Sequence, residues 1–390
     1  MKTVTRTFCG LFALCLAAPV VAETVVNIAY LRQEIDRPPV LSNLDAVPED
    51  EGIAGAFVGL ADNITTGKFL GQTFTLDIRS VPVGGDLVAT ANEILASTDL
   101  ILIDAPSAEM TQIADLEAAQ DALFFNVSNY DDALRDDGCR TNLLHTLPSY
   151  AMRSDALMQL LQSRRWTDLV MVSGTHEPDI AFANALRRSA TKFGLRIRDE
   201  KEWVFDANMR RAASAEVPLF TQDFHNHDAM LVADETGDFA RYLPFNTWEP
   251  VLLAGSEGAQ PVAWSPVMEQ WGGVQLQNRF EEYAGRSMRS VDYAAFAAIR
   301  TIGEAVTRTG SDDASVLRDY ILSPEFELGA FKGRPLSFRD WNGQMRQPIP
   351  VVHAHAVIAV PPMDGFLHPV NELDTLGIDK PESRCSAFKE

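Results

Sequence analysis

Short β-branched runs alternate with helical patterns from Glu23 onward, and this rhythm restricts the fold more than any other feature. "TVVNIAY" reads as a strand, and 50–66 reads as a helix with Ile53, Ala56, Phe57, Leu60 and Ile64 on one face. "QTFTLDIRSV" alternates as a strand does, and "DLVATANEILAS" follows as a helix. "DLILIDAP" is a near-continuous apolar run of the kind found in buried parallel strands, with "SAEMTQIADLEAAQD" as the next helix and "ALFFNVS" as the next strand. A second series begins near Leu144. It runs through the helix "PSYAMRSDALMQLLQSRRW", the strand "TDLVMVSG", the helix "PDIAFANALRRSATKFG" and the strand "LRIRDEKEWVF". "HDAMLVADE" and "PVLLAG" read as further strands, "RSVDYAAFAAIRTIGEAVTRTG" as a long helix with a small-residue face, and "PIPVVHAHAVIAV" as one alternating strand. Repeated βα units imply an α/β fold of doubly wound parallel sheets with right-handed crossovers. Two such sets imply a ligand crevice where the carboxyl ends of the strands converge.

One connection breaks the economy of this pattern. "YLRQEIDRPPVLSNLD" (30–45) belongs to a strand-to-helix link of roughly twenty residues, where about 2–6 are usual. Its prolines favour an extended path, and its start lies at the carboxyl edge of the first strand. Its length reads as ligand specificity rather than as a linker.

The first 22 residues have the form of a cleavable signal peptide. A basic start with Lys2 and Arg6 precedes the apolar "CGLFALCLAAPVV", and small residues stand before Glu23. The apolar core is too short to span a bilayer, and neither Cys9 nor Cys15 follows a lipoprotein-type pattern, so we expect a soluble, exported product. Removing 22 of the 390 residues leaves 368, enough for two domains, and moves the formal net charge from −21 to −23. Such a charge argues against nucleic acid and anionic membranes as partners, and says little about a small ligand. Cys139 and Cys385 remain after processing. In an exported protein one disulfide is the simplest reading, and two reduced buried thiols are the alternative.

No G-x-S-x-G elbow, H-E-x-x-H pair or P-loop stands in the chain, and we read it as a non-enzyme. The pairs His225/His227 ("HNH") and His353/His355 ("HAH") would share a face if each lay in a strand, but their setting reads as structural and we assign no metal or cofactor.

The order of "EDEGIAGAFVGLADNITTG", "LLHTLPSYAMRSDALMQLL" and "TDLVMVSGTHEPDIAFANALRRSATKFG" resembles type I periplasmic solute-binding proteins, the leucine/isoleucine/valine-binding-protein-like receptors of ABC importers. "HTLPSYAM" matches that family's passage from the first domain to the second. Together "YLRQEIDRPPVLSNLD", "ITTGKFLGQ" and "NLLHTLPSYAM" look like the subgroup associated with PQQ-dependent alcohol dehydrogenase systems. The resemblance implies two lobes joined by a three-crossing hinge, one of residues 23–146 plus 271–344 and the other of 147–270 plus 345–390. It also implies a periplasmic monomer that binds a small polar ligand and works with ABC permease subunits. Pyrroloquinoline quinone (PQQ) is its first choice of cargo, with a periplasmic dehydrogenase as a further partner. The alternatives are an amino-acid or alcohol-metabolite receptor, or a periplasmic sensor or dehydrogenase partner with no transport role.

The carboxyl ends of the first set offer Arg32, Glu34, Asp36 and Arg37, then Asp104 and Ser107, then Asn126 and Ser128. Ser107 also opens a helix, either as an anion-friendly end or as a plain N-cap. Arg32 and Arg37 either meet the ligand or pair with Glu34 and Asp36. The second set offers Ser173, His176, Glu177, Asp206 and Asp234, acids suited to an amino group or to capping their own helices. Trp248, Trp264 and Trp271 stand near the return crossing, where indoles could sandwich a flat ring or fill a core. PQQ, planar with three carboxylates, would ask for such faces and for guanidinium partners, here Arg32, Arg37 and Arg153.

Overall fold

The computed structural model describes residues 23–36, 46–204 and 209–389. The expected leader, Arg37 with the rest of 37–45, and Asp206 lie outside them. Among the described residues no helix is long and apolar enough to cross a membrane.

Strands β1 (Thr24–Gln33), β2 (Gln72–Val81), β3 (Leu100–Asp104), β4 (Leu123–Asn126) and β5 (Leu143–His145) form an all-parallel sheet in the order β2-β1-β3-β4-β5. Helices α1 (Ile53–Leu70), α2 (Leu87–Leu95) and α3 (Ser107–Ala114) make the crossovers. The central strands β3 and β4 are apolar along almost their whole length because both faces are covered.

Helix α4 (Tyr150–Ser163), capped by the Ser149 hydroxyl, leads into a second sheet. Its strands are β6 (Asp168–Ser173), β7 (Arg196–Glu202), β8 (Ala229–Ala233) and β9 (Leu252–Gly255), all parallel in the order β7-β6-β8-β9. Helices α5 (Glu177–Lys192) and α6 (Met209–Thr221) connect them. The edge strand β7, "RIRDEKE", alternates between exposed and half-buried positions, and its charges blunt an otherwise open sheet edge.

The chain then returns through β10 (Gln260–Pro261) to the first sheet, which α7 (Gly273–Ala284), α8 (Ser290–Thr309) and α9 (Ala314–Ile321) cover. Ala294, Phe296 and Ile299 of α8 share one core with Val26, Ile28 and Tyr30 of β1. The small residues of α8 have a mate in α1, where a Cβ on Gly55 would lie 1.9 Å from the Asp292 carbonyl oxygen. Asn63 of α1 donates to the Ile299 carbonyl (2.7 Å), so the two backbones nearly touch.

A hairpin of β11 (Ser337–Phe338) and β12 (Met345–Arg346) precedes the last crossing into β13 (Val351–His353) and β14 (Ala356–Ala359). Val351 and Leu376 belong to the core of the second sheet. Three segments thus join the lobes, and they bond to one another. The His145 amide donates to Gly343 (2.9 Å), the Gln347 side chain to the Thr146 carbonyl (2.7 Å), and the Val262 amide to Pro350 (3.0 Å).

Two expectations change. "PIPVVHAHAVIAV" is not one central strand but the antiparallel pair β13–β14, with His355 in the turn and His353 at its edge, both exposed. Residues at a tight turn do not share a strand face, so the "HAH" spacing loses its metal-site logic. His225 and His227 lie in the loop before β8, where each imidazole Nδ1 has its own partner, Asp199 for His225 and the His225 carbonyl for His227. The two cysteines are bonded, joining the β4–β5 loop to the C-terminal tail.

Candidate functional site

The carboxyl ends of β1, β3 and β4 open onto a cleft of about 740 Å³ whose facing wall is the start of α5. This is where parallel strands leave unpaired ends and loops of neighbouring units meet. Arg32, Glu34, Asp104, Ser107 and Asp131 line it from the first lobe, and Glu177, Pro178 and Ala181 from the second. Tyr130 and Tyr150 close its floor at the first crossing, their rings 5.5 Å apart.

Arg32 ends β1, and its guanidinium donates to the Glu49 carbonyl (2.6 Å) while lying 3.6 Å from Asp104. Asp104 ends β3 and accepts from the Tyr30 hydroxyl (3.1 Å). Burial, then the nearby Asp104 charge, keeps the Tyr30 phenol protonated far above its ordinary range. Ser107 is the first residue of α3 behind Pro106, and its hydroxyl donates to Asp131 (2.9 Å) while accepting from Asn129 (3.1 Å). The protein's own carboxylate therefore already holds the hydroxyl at this helix end.

Arg153 lies just beneath the floor. It grips Glu235 with both terminal nitrogens (2.5 and 3.1 Å), donates to the Pro261 carbonyl (3.1 Å), and stands 4.6 Å from the ring centres of both Tyr130 and Phe182. Burial works against its charge, but Glu235 and the two phenols outweigh that and raise its pKa. Its hydrogen-bonding fork is committed to the protein, so it supports the aromatic floor rather than reaching into the cleft.

Other candidates are spent on their own loops. Asn126 is fully buried, accepting from the amides of Ser128 (3.2 Å) and Asn129 (2.9 Å) and donating to the Asn129 carbonyl (2.9 Å). Asp234 is buried too, and accepts from the amides of Asp238, Phe239 and Ala240 at 2.7–2.9 Å, anchoring the turn after β8. Ser173 ends β6 with its carbonyl accepting from Trp203 (2.8 Å), and His176 stands before α5 with its imidazole against Asp238 (2.8 Å). Both sit on the second lobe's rim without lining the cleft wall. The three tryptophans do not gather. Trp264 is 2% exposed and stacks on Tyr293 inside the first core, while Trp248 and Trp271 are surface residues on separate loops.

Sequence reasoning passed over Tyr130, Tyr150, Asp131 and Asp179. The tyrosines carried a signal, since each follows a polar strand end or helix cap at the expected crossing. Asp179 is buried and ties the loops after β6 and β8 together, accepting from the amides of His176 (3.2 Å) and Glu235 (2.6 Å). Burial, then the charge of Asp234, pushes its carboxyl up to about 6. Arg135, also buried, ties the cleft loop to the hinge. It donates to the carbonyls of Asn129 (2.8 Å), Asp131 (2.7 Å) and Leu147 (3.0 Å) and to the Gln344 side chain (2.7 Å).

A second cavity of about 700 Å³ lies between the β11–β12 hairpin and the tail, around Trp341. Its charges are paired with one another, Arg346 with Asp374 (2.8 Å) and Lys380 with Asp340 (2.8 Å), and none of the described parallel strands contributes to its lining. Among the described residues no group of three or more His, Cys, Asp or Glu side chains is placed to hold a metal ion.

No protein-family model matches the sequence, and no curated protein matches it. Solved structures do match in fold. A branched-chain amino acid ABC transporter periplasmic ligand-binding protein from Burkholderia xenovorans superimposes with a TM-score of 0.70 at 14% identity, covering 94% of this chain and 100% of its own. An ABC transporter substrate-binding protein from Desulfitobacterium hafniense in complex with Leu gives 0.62 at 14% identity, over 86% and 99%. A solute-binding protein from R. palustris in complex with benzoate gives 0.62 at 10% identity, over 93% and 99%. The likeness establishes the periplasmic-binding-protein fold.

Proposed function

We propose that this chain is the periplasmic substrate-binding component of an ABC importer, closing two lobes around a small polar ligand that carries an amino group. The cleft carries the reading. Among its described lining residues six are carboxylates (Glu34, Glu49, Glu51, Asp104, Asp131 and Glu177), against the single guanidinium of Arg32. A pocket of that charge favours a cation, and the focusing of field lines in a cleft strengthens the preference. The Ser107 hydroxyl, where a ligand carboxylate could have docked, is held by Asp131. The neighbours described as branched-chain amino acid and leucine receptors lend support from the same fold.

The lobes would divide as 23–146 plus 271–344 and 147–270 plus 345–390, and the first 22 residues would direct export. Closure then follows from a ligand that touches both walls and shifts the balance from open to closed forms. Glu34 and Asp131 on one side and Glu177 on the other would supply those contacts. ABC permease subunits would receive the closed form.

PQQ is the second reading, favoured by Arg32 at the rim and by the flat faces of Tyr130 and Tyr150. A dehydrogenase partner belongs to that reading alone. Thermal-shift measurements on the mature protein with amino acids, simple amines, benzoate and PQQ decide between them. An amine at a hundred times its dissociation constant should add about 2.7 kcal/mol of stability. A shift with PQQ alone would replace the first reading by the second, and no shift with any of these at millimolar concentration would count against both ligand classes.

A further inference from the structure

We propose that the C-terminal tail is a strap beside the hinge that sets how far the two lobes separate. Its upstream end is packed on the core of the second lobe, where Arg339 of the β11–β12 hairpin also reaches it and donates to the Leu376 carbonyl (2.6 Å). Leu376 is buried in that core, and the Gly377 amide donates to Asp155 of α4 (2.8 Å). Asp155 is itself fully buried and also holds Lys192 of α5 (2.7 Å), whose ammonium reaches back to the Gly377 carbonyl (3.0 Å). Gly377 has φ +88°, and a Cβ there would lie 2.7 Å from Met152, so the chain is pressed onto α4 at this point.

Eight residues later the tail belongs to the first lobe. Cys385 is bonded to Cys139 in the β4–β5 loop, and Arg384 pairs with Asp136 of the same loop through its side chain (2.7 Å) and its amide (2.5 Å). Between the anchors the chain is not extended. A turn is closed by the amides of Glu382 and Ser383 donating to the Asp379 carbonyl (2.9 and 3.0 Å). Fully drawn out, eight residues reach about 26–29 Å. Small separations of the lobes can thus be met by opening this turn, and larger ones meet a covalent stop. The three crossings are covalent as well, and the strap adds a fourth link beside them. By excluding widely open forms, the strap keeps the lobes near a closure-competent arrangement and reduces the fraction of molecules a ligand must first bring together.

The inference rests on the closing motion proposed above, but its test needs no ligand, so a wrong ligand class would leave it standing. Small-angle scattering is recorded on the ligand-free mature protein in three forms. These are wild type, the Cys139→Ser/Cys385→Ser double variant, and a chain with eight Gly/Ser residues inserted after Lys380 and the disulfide intact. The strap predicts an increase in radius of gyration in both variants, of about 1 Å on roughly 21 Å. The insertion keeps the bond and carries the test by itself if the double variant fails to fold. Unchanged dimensions in the insertion chain would overturn the proposal. So would expansion of the double variant alone, because the bond would then act by stabilising the fold rather than by its reach.

Discussion

Lys332 is buried in the first lobe with its ammonium 4.5 Å from the centre of the Tyr293 ring, and it donates to the carbonyls of Ala263 and Pro348, one near each of the two later crossings. Burial lowers its pKa to about 7. Between about 7 and the ordinary lysine value the unfolded chain holds this proton and the folded chain does not, so this residue makes stability rise with pH across that window. Urea unfolding at pH 7, 8.5 and 10 should show that rise, and Lys332→Met should flatten it. An unchanged slope in the variant would remove Lys332 as its source. At this scale the sequence was least informative. It placed Arg32, Glu34, Asp104, Ser107 and Glu177 near the strand ends and helix start that line the cleft, because position in a βα unit dictates that much. It could not separate them from Asn126 and Asp234, equally polar and equally placed, whose oxygens are consumed by the amides of the next few residues. Nor could it tell Trp264, stacked in a core, from an aromatic at the cleft, since indole suits both settings.

The pair α1 and α8 shows what an element can require of single positions. With the Asp292 backbone where a Gly55 Cβ would stand, Gly55→Ala must push the helices apart, although alanine is the better helix former. Overpacking of this kind costs about 1–3 kcal/mol, and the contact here is with rigid backbone, so a loss of about 3 kcal/mol in denaturant unfolding is expected. A neutral effect would mean that the two helices have room to separate. The long regular elements were legible because burial on one face or on both leaves a period in the sequence. What escaped was mostly short or irregular, although α7, a regular helix of twelve residues, escaped as well. β5 has only three residues, α6 carries Pro218 in its interior, and α9 spans eight residues. The turn inside "VVHAHAVIA" contains neither glycine nor proline, so its alternation reads straight through the reversal.

At the scale of the whole molecule, the Cys139–Cys385 bond closes a sequence separation of 246 residues and ties the two ends of the architecture together. Constraining so long a loop in the unfolded chain should contribute about 2–5 kcal/mol, which urea unfolding of the Cys139→Ser/Cys385→Ser variant would measure as a lower midpoint. An unaltered midpoint would place the whole effect of the bond in the native state's motions. The two-lobed plan was legible because two runs of βα units separated by a helix-opening Pro-Ser pair admit few other arrangements. The pairing of the cysteines followed from the expected export, whereas their setting beside the crossings did not. Arg135 gives this plan a practical edge. One guanidinium holds the carbonyls of the loop that lines the cleft and, at the same time, the first and third connecting segments. Anyone reshaping this cleft to take a new compound should therefore treat residues 129–131 as part of the hinge too, since on the closing motion proposed above an edit made there for taste would also retune the stroke.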